Sequence, residues 1–430
     1  MDLFDFVSDL VLIHIISFLP FKEAAKTSIL SKRWRYIWQS TKSIEFDETF
    51  FMRGNLLEGD DEEESQRRDF IEFARKWMMK YQEPKVDKFR LSFGYPNEFN
   101  SEIEQWIRVV INRKVDEIDL NFYGLGWEGK FPSDPEAFFD IPFCLFKHRG
   151  LQSLSLSVCN LNISMFKNLS SLKNLSLGYI RLSQRVFEDL VSNCPSLETL
   201  NLKNCVDLED IKLYEGTETR LRKLCICDCS PLQSRIKISL PSLRFFKYFG
   251  SIRSLELQHL PSIEKAELEF KFAYIQSDKF RYFLYLILPG LHLVKCLTVC
   301  SYVTQVLPKR TLDFIPPSKY LETKHLILKD EGSSDEFDFK GFCKEREMQV
   351  RFCCLRENLK VIKVEGFLGF KYEEELLQYL MKEAQVLERI SISTCKEMDI
   401  DDEPPDLYFQ KAQRVLGFER ASPNLLVSIQ

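Results

Sequence analysis

Between residues 223 and 229 the chain reads Lys-Leu-Cys-Ile-Cys-Asp-Cys, and thiols so close together raise the question of a metal. Zinc needs four ligands in a tetrahedron, and the usual local device is a Cys-x-x-Cys turn. Cys225, Cys227 and Cys229 alternate instead, which is the period of a strand. Cys353 and Cys354 are adjacent and have no histidine nearby. Neither group predicts a metal site. The acidic runs Asp60–Glu64 and Asp399–Asp406 match a cation cluster only in composition, and they read as solvated segments. His14, His148, His259, His292 and His325 are scattered, and no phosphate-binding loop, dinucleotide fingerprint, nucleophile elbow or His-Glu-x-x-His helix occurs. No cofactor and no catalytic activity are expected.

Composition narrows the classes further. A net charge of −5 and a pI near 5.8 argue against nucleic-acid binding driven by global charge, and the basic run at Ser31–Arg35 reads as a solvated helix face. Asp2, Asp5 and Asp9 precede the first apolar run, where a secretory leader has a basic start. No apolar stretch reaches the ~18 residues that a membrane span requires. The 13 cysteines, an odd number, fit reduced thiols. An intracellular protein of the nucleus, the cytoplasm or both is expected, with no membrane partner.

Elements must position whatever binding groups remain. Residues 9–18 predict a helix, with Leu12, Ile15, Ile16 and Leu19 at helical spacing and Pro20 ending it. Residues 22–30 predict a second helix with Ala25, Ser28 and Ile29 on one face. Ser31 caps a third, in which Trp34, Ile37 and Trp38 share a face. So small a unit cannot bury this much apolar surface alone, so it must dock on its own chain, on another protein, or on both.

The stretch Ser17–Trp38, followed by Ser-Ile-Glu-Phe-Asp (43–47), resembles the plant F-box over about residues 5–47. The resemblance implies a Skp-type adaptor as partner and, through it, a cullin ubiquitin ligase. Carried over, the adaptor contacts are Leu12, Ile16, Leu19, Pro20, Ala25, Ser28, Ile29 and Leu30, while Trp34 and Trp38 hold the unit together. Two departures stand out. Val7, Ser8, Asp9 and Leu10 occupy the place of the family's Leu-Pro-Asp-Glu, and Phe21 replaces the usual capping Thr or Ser.

Beyond a charged stretch at 58–69, which reads as an exposed loop, an apolar-x-x-apolar-x-apolar triplet recurs. It is clearest at Leu151/Leu154/Leu156, Leu172/Leu175/Leu177, Leu197/Leu200/Leu202 and Leu221/Leu224/Ile226, whose starts lie 21, 25 and 24 residues apart. Weaker copies begin at Val86, Val115, Ile252, Val294, Leu359 and Leu387. This is the pattern of a leucine-rich-repeat solenoid, whose strands point the triplets inward and whose helices or arcs return outside. Helical stretches at 67–81, 101–114, 183–193 and 372–384 fall between triplets. The segment 251–270 is too compressed for two full repeats, and 300–350 shows no clear register. Cys159, Cys205, Cys229 and Cys395 occupy the inward position just past each strand.

Residues 354–393, with 420–429, resemble the FBD module that ends many plant F-box/leucine-rich-repeat proteins. Its pattern of strand, helix and strand makes one more repeat, and Gly366 and Gly369 punctuate the strand exit. The expected fold is therefore α/β: a three-helix F-box (1–47), a charged linker and helix (48–84), an irregular repeat solenoid with a curved parallel sheet (85–350), and an FBD cap (351–430).

Together these parts imply a non-catalytic receptor that brings an unknown target protein to a ubiquitin ligase. In this register Ser153, Ser155, Ser157, Asn174, Ser176, Thr199, Asn201, Lys203, Cys225 and Cys227 line the concave sheet face, which in the central repeats is small, polar and nearly uncharged. Target binding is expected at Thr199, Asn201, Lys203, Cys225 and Cys227. The alternatives are a scaffold that no longer engages the adaptor, prompted by Ser8 and Leu10, and a receptor whose site a small molecule completes.

Overall fold

A computed structural model describes residues 6–51, 60–124, 127, 129–161, 169–214, 220–229, 235–251, 254–270, 287–300, 322–329, 356–395 and 405–430. They fall into two compact units. The first is Met1–Leu208 with Thr217–Arg220, and the second is Glu209–Gly216 with Leu221–Gln430.

The first unit opens with helices α1 (Asp9–Ile16), α2 (Phe21–Lys26) and α3 (Lys32–Ile37). Ser31 caps α3 by accepting from the Trp34 N–H at 3.4 Å. There follow β1 (Ser43–Asp47), α4 (Asp60–Lys80), β2 (Lys88–Ser92), α5 (Asn100–Asn112), β3 (Glu117–Asn121), β4 (Phe139–Asp140) and α6 (Phe143–Phe146). Strands β5 (Ser153–Ser157), β6 (Cys159–Asn160) and β7 (Asn174–Gly178), helix α7 (Gln184–Asn193) and β8 (Thr199–Lys203) complete it.

Strands β1, β2, β3, β5, β7 and β8 form a parallel sheet in unbroken register. Ile44, Phe89, Ile118, Leu154, Leu175 and Leu200 stack as one inward ladder, and Phe46, Leu91, Leu120, Leu156, Leu177 and Leu202 as a second. All twelve are buried. Parallel neighbours need crossovers, and α4, α5 and α7 supply three of them. Each buries an apolar stripe at helical spacing, such as Ile103, Trp106, Ile107 and Val110 on α5. The charged run that reads as a loop in sequence is helical from Asp60 onward. Acidic residues favour a helix N-terminus, and the buried stripe of Phe70, Ile71, Ala74, Trp77 and Met78 anchors the later turns of the same helix.

The second unit holds β9 (Asp210–Leu213), β10 (Lys223–Cys227), β11 (Arg235–Ile238), β12 (Phe245–Gly250), β13 (Ser254–Leu257), β14 (Lys265–Phe270), β15 (Cys296–Cys300) and β16 (His325–Lys329). It ends with β17 (Val361–Phe367), α8 (Lys371–Glu383), β18 (Arg389–Thr394), α9 (Pro405–Gln413) and β19 (Leu426–Ile429). Strands β10, β12, β14, β15, β16, β17, β18 and β19 are parallel neighbours in that order. A separate three-stranded sheet pairs β11 with β9 and β13.

That second sheet explains the compressed segment. Leu255 and Leu257, taken in sequence as a solenoid triplet, lie on β13; the sheet strand of that repeat is β12, with Phe246 and Tyr248 inward. The ladder residues Leu224, Phe246 and Ala266 are only 22 and 20 residues apart because the return path is a strand. A strand advances ~3.3 Å per residue against 1.5 Å for a helix, so fewer residues close the repeat.

Just past β5, β7, β8 and β10, Val158, Tyr179, Asn204 and Asp228 take left-handed conformations with φ of 58°, 52°, 49° and 54°. This turn aims the next side chain inward. Cys159, Cys205 and Cys229 are buried there and donate to the carbonyls of Ser157, Leu177 and Cys227 at 3.4, 3.5 and 3.5 Å. Cys395 is half-buried, and its N–H reaches the Phe367 carbonyl at 3.2 Å. Gly366 and Gly369 have φ of 79° and 75° at the exit of β17.

Candidate functional site

The three helices have one face turned into their own unit and one turned to solvent. Phe21 starts α2 as a plug. Its ring meets Trp38, Phe46 and Trp77 at 5.8, 5.9 and 5.5 Å, and Phe46 continues to Phe89 and Trp106. The apolar ring that replaces a capping hydroxyl therefore joins the helices to β1 and α4. Tyr81 adds a polar tie, its hydroxyl donating to the Thr41 carbonyl at 2.9 Å, and burial pushes the phenol's pKa up. Arg33 fixes α1 to α3 by pairing with Asp9 at 2.6 Å and donating to the Val7 carbonyl.

Among the eight helical residues assigned to the adaptor, Leu12 and Ile16 are 0% and 1% exposed. They lie in the core with Trp34 and Ile37, so in this structure neither offers a contact to a partner. Leu19, Pro20, Ile29 and Leu30 are exposed, while Ala25 and Ser28 are half-buried. Ile29 reaches 85%, and the exposed set extends to Leu10 and Phe18, which helical periodicity did not single out, at 79% and 74%. Val11 and Ile15 are also open. Large apolar groups concentrated on one small unit mark a protein-binding surface.

On the solenoid, Thr199, Asn201 and Lys203 share the solvent face of β8; the first two are half-buried and Lys203 is exposed. Cys225 and Cys227 are half-buried on the corresponding face of β10. Burial pushes the Cys225 thiol up to about 11 and raises that of Cys227, so both stay protonated at neutral pH. Among the described residues, no group of three or more His, Cys, Asp and Glu stands together as a metal set.

The neutral character holds on β5 and β7 and fails on other strands. Across β1, β2 and β3, Arg90 lies between Glu45 at 2.8 Å and Asp119 at 3.5 Å. In the second unit Lys247 reaches Glu267 at 3.3 Å and Glu269 at 3.5 Å, and Lys329 meets Glu269 at 2.8 Å. Burial opposes ionisation of Glu267, yet hydrogen bonds and charge from Lys265 and Lys247 hold its pKa below the ordinary carboxylate value.

A further group was not visible in the repeat pattern. Beyond the ends of β2, β3 and β7, Tyr123 meets Tyr179 at 4.1 Å and Trp127 at 5.2 Å, and Trp127 meets Tyr95 at 5.6 Å. Lys203 places its ammonium 5.4 Å above the Tyr179 ring. Tyr95 and Tyr179 are both left-handed, a conformation that hydrophobic periodicity does not encode.

Comparison with known proteins assigns each part. The F-box domain family matches residues 7–46, the At1g61320/AtMIF1 LRR domain family residues 78–343, and the FBD family residues 352–392. The Arabidopsis thaliana F-box protein At3g62230 is 26% identical over 99% of this chain and 98% of its own length. F-box/FBD/LRR-repeat protein At1g13570 of the same plant is 24% identical over 97% of each. FBD-associated F-box protein At5g56370 is 23% identical over 93% of each. With F-box, repeat and FBD segments matched in that order, this chain belongs to the F-box/leucine-rich-repeat proteins that carry a C-terminal FBD module.

Proposed function

We propose that the chain is the target-binding subunit of a Skp–cullin–F-box ubiquitin ligase. Its helical face docks a Skp-type adaptor and, through it, a cullin, while its repeat sheet holds a target protein. The carrying observation is the division of the helical unit, with one face locked into the solenoid by Phe21, Trp38 and Trp77 and the opposite face open through Leu10, Phe18, Leu19, Ile29 and Leu30. A unit tied to the sheet in this way positions whatever the sheet binds relative to the adaptor. Holding target and ubiquitin donor together accelerates transfer by proximity, without catalytic groups on this chain. On this reading the adaptor contacts are Leu10, Val11, Ile15, Phe18, Leu19, Pro20, Ile29 and Leu30, with Ala25 and Ser28 at the margin, and Leu12 and Ile16 have a core role. Thr199, Asn201 and Lys203, with Cys225 and Cys227, remain the target-facing residues. The protein works inside the cell, in nucleus or cytoplasm, where the ligase operates.

The test is capture of a purified recombinant Skp-type adaptor by the full chain, beside the double variant Leu19→Ala/Pro20→Ala. Capture by the native chain and its loss in the variant are expected. A folded native chain that leaves the adaptor in solution refutes the proposal.

A further inference from the structure

The aromatic group past β2, β3 and β7 borders the last row of the sheet face, where Ser92, Asn121, Ser157, Gly178 and Lys203 stand side by side. Asp47 stands at the β1 end of this row, beside Ser92, and from Ser92 to Gly178 the row is uncharged before Lys203. Gly178 is buried, and the Ser157 hydroxyl occupies the place its Cβ would take, 2.8 Å away. The rings beside the row are not a sealed core. Tyr95 is 44% exposed, Tyr123 and Trp127 are half-exposed, and Tyr179 is buried beneath them. Trp127 stands edge-on to both, at 74° to Tyr95 and 89° to Tyr123, while Tyr123 closes at 4.1 Å and 34° on Tyr179, which is the floor under the exposed rings. The Tyr123 hydroxyl is tied to the Lys130 carbonyl at 3.1 Å, which holds its ring in place.

The cations nearby differ in one respect. Arg67 lies over Tyr95 and pairs with Glu48 at 3.3 Å, and Arg181 lies over Phe131 and pairs with Asp207 at 3.6 Å. Lys203 has the Tyr179 ring beneath it and no ion pair with any described carboxylate. An ammonium on an aromatic face is attracted by the ring quadrupole and keeps its charge available to a second partner. A single lysine is a point charge suited to one carboxylate, whereas a phosphate or nucleic-acid backbone calls for arginine forks or a basic stripe.

We propose that Tyr95, Tyr123, Trp127, Tyr179 and Lys203 form a recognition notch for an extended target segment. The segment carries an aspartate or glutamate next to an aromatic or aliphatic side chain, with the apolar group against the exposed surfaces of Tyr95, Tyr123 and Trp127 and the carboxylate on Lys203. This rests on the receptor reading above and names the chemistry of its target.

The experiment presents the full chain with a hexapeptide library that fixes Phe or Leu at one position and varies its neighbour among Asp, Glu, Ser and Lys. A labelled single-stranded oligoribonucleotide is run alongside. Acidic neighbours are expected to be enriched over Lys by roughly fivefold, the worth of one exposed ion pair. Lys203→Glu reverses the preference and Lys203→Gln abolishes it; a reversal also shows that the variant is folded. Trp127→Ala lowers retention of the Phe and Leu peptides by about tenfold. Failure to retain peptides, an acid preference that Lys203→Glu leaves unmoved, or capture of the oligoribonucleotide in their place overturns the notch. Adaptor capture measured on the same preparation separates the two readings. Capture without peptide selection sinks the notch alone, and peptide selection without capture sinks the ligase role alone.

Discussion

Leu12 and Ile29 lie in the same small helical unit and match the same family motif, yet the structure gives them opposite exposure. Leu12 is 0% exposed and Ile29 is 85% exposed. Truncating a fully buried leucine removes its transfer free energy and leaves a cavity, so Leu12→Ala is expected to cost ~2–5 kcal/mol of stability. Ile29→Ala removes a side chain that touches little of its own chain, and its stability change stays within about 0.5 kcal/mol. In the proposed complex with the adaptor the order inverts. An isoleucine that goes from exposed to buried contributes ~1.5–3 kcal/mol, so its loss weakens adaptor binding by roughly tenfold to a hundredfold. Urea unfolding read by tryptophan fluorescence measures the first quantity, since all the tryptophans (34, 38, 77, 106 and 127) fall in the first unit. Titration with purified adaptor, under conditions where both variants are folded, measures the second. A Leu12→Ala protein as stable as the native chain, or an Ile29→Ala protein with native affinity, would refute the assignment of faces.

Phe21→Ala opens the ring cluster that joins the helices to β1 and α4. It is expected to destabilise the first unit by ~3–5 kcal/mol, seen as a lowered urea midpoint. Gly369→Ala places a Cβ 2.5 Å from Lys411 Cβ at a φ of +75°, and a cost of about 1–2 kcal/mol from the left-handed backbone alone should speed amide exchange in α8 and α9. Burial raises the Cys225 thiol from 9.0 to about 11, which leaves roughly a hundredfold less thiolate at pH 8 than in the unfolded chain. Alkylation of that residue, followed by peptide mass, should be slow at pH 8 and rise steeply toward pH 11; labelling at the unfolded rate at pH 8 counts against this. The unfolded thiol ionises first, so this group lowers stability as pH climbs above about 9 and has no effect at neutral pH.

The order of parts and most of the inward residues were legible in the sequence, because both depend on local rules. Triplets such as Leu151/Leu154/Leu156 repeat at solenoid spacing, and strand alternation then dictates which side chains stack in the ladder. Ser31 announced its helix because a cap acts within one turn. The thiols past the strands were placed by the same repeat. Other features depended on which surfaces meet. Helix α1, Asp-Leu-Val-Leu-Ile-His-Ile-Ile, is apolar nearly all round, so periodicity could not choose between Leu12 with Ile16 and Leu10 with Ile15. Packing against α3 made that choice. The alternating segments at 245–250 and 254–257 satisfy the same strand rule, and only the closing of the ladder sends the first to the main sheet and the second to β11. The notch of Tyr95, Tyr123, Trp127 and Tyr179 joins residues from three different strand exits, two of them left-handed. A sequence states which side chains are apolar and how they alternate. Which apolar face remains uncovered is decided only after every other face has found its partner.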